Sequence, residues 1–126
     1  LLTFLESNSY RWGIITNKSE WLTLPLLKAL ELEQRSACIV CGDTAIAPKP
    51  DPAPMYYACE KLQVKPEQCL SVGDAERDMR AGNAANMKTI LAMYGYIEKN
   101  SEPYNWQADH IIQHPLEIID WLDKNR

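Results

Sequence analysis

Apolar positions along this chain fall into short unbroken runs, separated by longer stretches in which apolar and polar residues recur at helical spacing. Leu1, Leu2, Phe4 and Leu5 form one face of a helix that ends near Asn8. Trp12 to Thr16 is a run too short for a helix and β-branched toward its end, which predicts a buried strand. A helix is expected from Ser19, as N-cap, to about Leu30, with Pro25 setting its first turn apart. Ala37 to Val40 predicts a second strand, closed by Gly42-Asp43 and followed by a proline-rich loop over 43–53. Asp51-Pro52 has the form of an N-cap and first helical position, and the helix runs to about Leu62. Pro66 marks a turn. Strands follow at Cys69 to Val72, Thr89 to Ala92 and His110 to Ile112, with helices over 75–85 and 116–122.

Strand and helix thus alternate throughout, and the strands lack polar alternation, so both sheet faces should be covered. This predicts an α/β fold, a three-layer arrangement around a mostly parallel sheet. Ligands of such sheets sit at the carboxyl ends of the strands. That directs attention to Thr16-Asn17-Lys18, Gly42-Asp43, Gly73-Asp74 and the segment after Ala92.

Composition narrows the options. A chain of 126 residues suffices for one domain with its own core. A net charge of −4 argues against nucleic acid as a partner. No apolar run approaches the roughly 20 residues of a membrane span. An anionic ligand would meet no global attraction, so its site must be built locally. Cys38 and Cys41 have the spacing of a zinc or redox pair, but Cys59 and Cys69 supply no matching second pair. The four are expected to be free thiols in a reducing cytoplasm. His110 and His114 are four apart, but a strand end and turn fit Ile111-Ile112 and Pro115 better than a metal pair. The start at Leu1, within what looks like a helix, leads to the expectation of a fragment.

Three strand-end positions carry candidate chemistry. Thr16-Asn17 offers a hydroxyl and backbone amides ahead of a helix, a small anion cradle, although alone it could be an ordinary turn. Lys49 lies in a loop stiffened by prolines at 48, 50, 52 and 54, which would pre-organise its ammonium to neutralise negative charge. Asp74 follows a strand and a glycine, and Asp78 comes one helical turn later on the same face. Two carboxylates there could supply oxygens to magnesium, or could simply stabilise a helix N-terminus.

Strand-Thr-Asn, then Lys-Pro-Asp-Pro, then strand-Gly-Asp-x-x-x-Asp resembles the second, third and fourth motifs of the haloacid dehalogenase superfamily of phosphohydrolases, in that order. Residues 49–62 and 73–82 with Tyr94-Gly-Tyr-Ile97 are similar to its members acting on phosphoglycolate or N-acetylmuramic acid 6-phosphate. The resemblance implies a Rossmann-like sheet and a magnesium-dependent phosphomonoester hydrolase working through a phosphoaspartyl intermediate. Thr16, with the Asn17 backbone amide, would bind the phosphoryl group. Lys49 would neutralise it, Asp74 would bind Mg2+, and Asp78 would be a further ligand or orient one.

The family's first motif, Asp-x-Asp, is missing: no two of Asp43, Asp51, Asp74, Asp78, Asp109, Asp120 and Asp123 are separated by one residue. With it go the nucleophile, the general acid/base, the helical cap that selects substrate and the central strand between those ending at Thr16 and Asp74. Residues 1–126 are therefore expected to be the C-terminal portion of such a core domain, inactive alone. The missing strand would come from the rest of the same protein, from rearrangement, or from exchange between protomers, which could form a dimer. Two other readings are a non-catalytic module that binds magnesium, phosphate or a partner, and a flavodoxin-like or receiver-type domain, against which the motif order speaks.

Overall fold

The computed structural model describes residues 1–125. Its elements alternate as α1 (Leu2–Ser7), β1 (Ile14–Ile15), α2 (Glu20–Ala29), β2 (Ile39–Val40), α3 (Ala53–Leu62), β3 (Leu70–Gly73), α4 (Glu76–Ala84), β4 (Lys88–Ala92), β5 (His110–Ile112) and α5 (Glu117–Lys124). Short 3-10 turns lie at Pro66–Gln68 and Pro103–Asn105. All strand pairs are parallel. They form two sheets: β1 pairs with β2, and β3-β4-β5 stand side by side.

The central strand β4 is buried from Thr89 to Ala92. Thr89, Ile90 and Leu91 are each 0% exposed. Two apolar clusters build the core. Ile90 meets Ile112 of β5 and Ile118 of α5, with Leu1, Leu70, Trp121 and Leu122 packed around them. The other cluster joins Met55 and Cys59 of α3 to Ala81 of α4, Ala85 and Met87, with Ile15 of β1 against it. Small residues on α4 allow the close approach: a Cβ on Gly82 would run into the Thr89 methyl. The one buried polar side chain in β4 is satisfied, because Thr89 Oγ1 lies 3.0 Å from Asn83 Oδ1 and accepts the Asp109 amide.

The expected elements are present, with ends shifted by one or two residues and two local corrections. Pro25 does not separate a first turn: α2 runs through it as one helix. Its missing N–H would have reached the Trp21 carbonyl, and Pro25 lies on the exposed side, where water can take that bond. Nor does the Ser19 side chain cap α2. Asp43 does so from the loop after β2, its Oδ1 accepting the Glu20 N–H at 2.9 Å. The Asp51 carboxylate likewise accepts the Ala53 N–H at the start of α3.

Among the described residues no helix is long and apolar enough to cross a membrane. All four cysteines are free, with Cys59 and Cys69 Sγ atoms 3.8 Å apart. Burial first, then the neighbouring Cys69, pushes the Cys59 thiol up to about 12. An unfolded thiol titrates near ~8.5. The native state therefore holds the extra proton above that point, and this contribution to stability is complete below it and lost as pH rises toward 12. At pH 8, iodoacetamide should leave Cys59 unmodified in the folded chain and modify it in urea, as read by peptide mass.

Candidate active site

The sheets do not pair with each other. β1 and β3 each have a single partner, and the open edge shows in Val72, mid-strand yet 41% exposed. A cavity of about 390 Å³ lies at this opening. Ile15, Thr16 and Asn17 line it from β1, Val72, Gly73 and Asp74 from β3, and Lys49 from the proline-rich loop. Arg77 and Asp78 of α4 and Ala92, Tyr94 and Gly95 complete its lining. All five residues singled out in the sequence thus line one space, including Thr16 and Lys49, 33 positions apart.

Lys49 ties β1 to α4 across this opening. Its Nζ donates to the Ile15 carbonyl on β1 at 2.9 Å and to Asp78 Oδ1 on α4 at 2.6 Å. The Lys49 and Asp78 side chains are only 9% and 10% exposed, so this pair is shielded from water. The loop is held by Asn17, whose side-chain amide donates to the Lys49 carbonyl (2.8 Å) while its Oδ1 accepts the Lys49 N–H (2.9 Å). Sequence reading assigned Asn17 a backbone role only. The two-point clamp was out of reach because it joins residues 32 apart.

Asp78 proves to be fully engaged. Besides Lys49 on Oδ1, its Oδ2 accepts the backbone amides of Asp74 and Ala75 at 3.2 and 3.1 Å. Gly73 makes this seat possible, because any Cβ there would collide with the Asp78 carboxylate. Of the two roles allowed by the sequence, ligand or orienting group, this arrangement suits the second. Asp78 fixes both the Lys49 ammonium and the backbone at Asp74.

Asp74 is different. Its Oδ2 accepts the Tyr96 N–H at 2.8 Å, and Oδ1 has no hydrogen-bond partner among the described residues. Gly95 lies against this carboxylate so closely that a Cβ would overlap it. The turn after β4 thereby sets the Asp74 side chain, a role that the motif spacing did not reveal. Tyr94 stands on the same turn, its hydroxyl titrating above the usual range through burial and then the nearby Asp74. Thr16 Oγ1 accepts the Lys18 N–H at 3.1 Å and keeps its own proton to donate.

Could these residues hold a divalent cation? Among the described residues no three of His, Cys, Asp and Glu converge as a metal cage. One carboxylate oxygen, Asp74 Oδ1, is available beside the cavity. Magnesium binds through one or two carboxylates, keeping waters and substrate oxygens for its other positions. The residues fit such a weakly held ion and not a dedicated site. His110 and His114 contribute nothing here: His110 opens β5, and His114 Nδ1 accepts the Leu116 N–H in the following turn.

Comparison with known proteins places this arrangement in context. Residues 1–92 match the family described as haloacid dehalogenase-like hydrolase. The chain is 40% identical over 124 residues to the N-acetylmuramic acid 6-phosphate phosphatase of Pseudomonas aeruginosa, covering 98% of this chain and 55% of that one. It is 39% identical over 118 residues to a phosphoglycolate phosphatase of Xanthomonas campestris, covering 94% and 53%. Among solved structures, a predicted phosphoglycolate phosphatase of Haemophilus somnus superposes with a TM-score of 0.89 at 29% identity, over 96% of this chain and 53% of that one. A phosphatase of the same superfamily from Thermococcus onnurineus gives 0.83 at 26% identity, over 96% and 54%. The chain spans about half the length of the curated relatives it matches.

Proposed function

From the premise that this chain belongs to the haloacid dehalogenase-like hydrolases, we propose that it forms the C-terminal portion of the core domain of a phosphomonoester hydrolase. The observation that carries this reading is the single cavity at the open sheet edge, where Thr16, Asn17, Lys49 and Asp74 meet from separate segments. Phosphoryl transfer needs positioning and charge neutralisation more than covalent work by the protein. The Thr16 hydroxyl and the Asn17 backbone amide donate to phosphoryl oxygens. Lys49, held by Ile15 and Asp78, supplies a fixed positive charge beside them. Asp74 would hold Mg2+, which when bound draws off phosphate charge. Asp78 acts through Lys49 and through the Asp74 backbone, and is a positioning residue.

The covalent step needs a carboxylate in line with phosphorus, and a second group to protonate the leaving oxygen and then activate water. Asp43, the remaining strand-end aspartate, is occupied in capping α2. The open edges of β1 and β3 fit a strand carrying the family's Asp-x-Asp, contributed by the rest of the same protein or by another copy. On this reading the isolated chain binds phosphate without turning it over.

Curated relatives are named for phosphoglycolate and for N-acetylmuramic acid 6-phosphate. A small phosphomonoester of this kind is the substrate we assign, in a cytoplasmic setting. Magnesium binding tests the site. Titration calorimetry should give weak affinity for the parent chain, and Asp74→Asn should lower it by about tenfold or more. Equal binding by the two would remove Asp74 from the metal site.

A further inference from the structure

The cavity holds two cations, and only one of them is engaged. Lys49 is committed to Ile15 and Asp78. Arg77 lines the same space, but among the described residues it has no ion pair and no hydrogen bond. Its position is not one that helix energetics favours. Arg77 is the second residue of α4, where the positive end of the helix dipole opposes a cation by about 0.3–1 kcal/mol. Glu76 and Asp78, on either side, have the sign that suits this end. Neither they nor Asp74 come within ion-pair distance of the guanidinium.

We propose that Arg77 recognises a carboxylate on the substrate, so that the site selects phosphomonoesters carrying a second anionic group. This rests on the reading of the cavity as a phosphate site. The guanidinium is a planar fork of donors that matches a carboxylate in two parallel hydrogen bonds. With a net charge of −4, the chain offers a second anion no general attraction, so a dedicated local cation is needed. The division of labour follows from the geometry. Thr16 and Asn17 reach the cavity from the end of β1, Lys49 from the proline-rich loop, and Arg77 from α4. A phosphate and a carboxylate joined by a short linker can meet both. Phosphoglycolate and N-acetylmuramic acid 6-phosphate, different in size, both have a carboxylate besides the phosphate.

The test compares 2-phosphoglycolate with ethyl phosphate, which has a methyl in place of the carboxylate. Binding to the chain is followed by amide shifts in NMR titration at fixed magnesium. Arg77→Gln is the main variant. Arg80→Gln removes the same charge from another exposed residue of the same helix, outside this cavity. The parent should bind 2-phosphoglycolate about tenfold more tightly than ethyl phosphate, the scale of one charge-assisted bidentate contact. Arg77→Gln should abolish that preference by weakening 2-phosphoglycolate about tenfold more than ethyl phosphate, Arg77→Lys should retain part of it, and Arg80→Gln should retain it all. Unchanged amide spectra and melting temperatures establish that the variants fold. If both esters bind equally to parent and Arg77→Gln, the role of Arg77 is overturned while the phosphate site stands. If preference falls equally in Arg77→Gln and Arg80→Gln, it reflects net charge, and the specific contact is overturned. If neither ester shifts the cavity resonances, the phosphate reading itself fails, and this inference with it.

Discussion

Adding the segment that carries Asp-x-Asp should raise magnesium-dependent hydrolysis of phosphoglycolate from background by roughly 10³-fold or more, the scale on which loss of a nucleophile silences an enzyme. The expectation follows from what the cavity contains. Its groups stabilise charge: a hydroxyl at Thr16, an ammonium at Lys49 and a carboxylate at Asp74 suited to a metal. None stands ready for in-line attack. Asp78 has both oxygens in hydrogen bonds, and Asp43 is turned to the α2 N-terminus. The segment should also restore order at the open edges, seen as new amide protection at Ile15 and Val72 in hydrogen exchange. Robust hydrolysis by residues 1–126 alone would mean that a nucleophile is already present, and Asp43→Asn would be the first variant to make. Protection at both edges without activity would instead favour a binding module.

The second large effect concerns stability. Lys49→Met and Asp78→Asn should each destabilise the fold by about 3–5 kcal/mol, because each leaves a shielded polar partner without its counterpart. Lys49→Met strands a carboxylate that keeps only the amides of Asp74 and Ala75. Asp78→Asn leaves the ammonium with the Ile15 carbonyl and loosens the turn at Asp74. The double variant should cost less than the sum, by a coupling of about 1–3 kcal/mol. Urea unfolding of the four proteins measures this cycle. The pair matters beyond its own energy, because Lys49 reaches across an opening where no backbone hydrogen bonds join β1 to β3. Additive costs would show that the two side chains act independently and that the sheets are held together elsewhere.

The alternation of elements was legible in the sequence because each strand is an apolar run ended by a turn signal. β4 is the clearest case, with Thr89, Ile90 and Leu91 wholly buried as its unbroken run requires. The convergence of Thr16, Lys49 and Asp74 was legible for a related reason. A parallel sheet with helical crossovers brings all its strand ends to one edge, so residues just after strands become neighbours whatever lies between them. The family followed from the order of these same residues, and a match over residues 1–92 bears it out.

Tertiary structure decided which group does what. Sequence spacing brought Asp74 and Asp78 to one face, but only the fold shows that the Asp78 oxygens are consumed by Lys49 and two amides while Asp74 keeps one oxygen available. The Asn17 clamp on Lys49, the Asp43 cap on α2 and the Tyr96 amide on Asp74 each join segments 22 to 32 residues apart. A local pattern reports which faces are buried and where a chain must turn. It carries no record of which distant donor will satisfy a given oxygen, because that depends on how the loops pack after the sheets have formed. For the same reason nothing in the sequence singles out Arg77, which stands apart only once the fold shows every nearby carboxylate out of its reach.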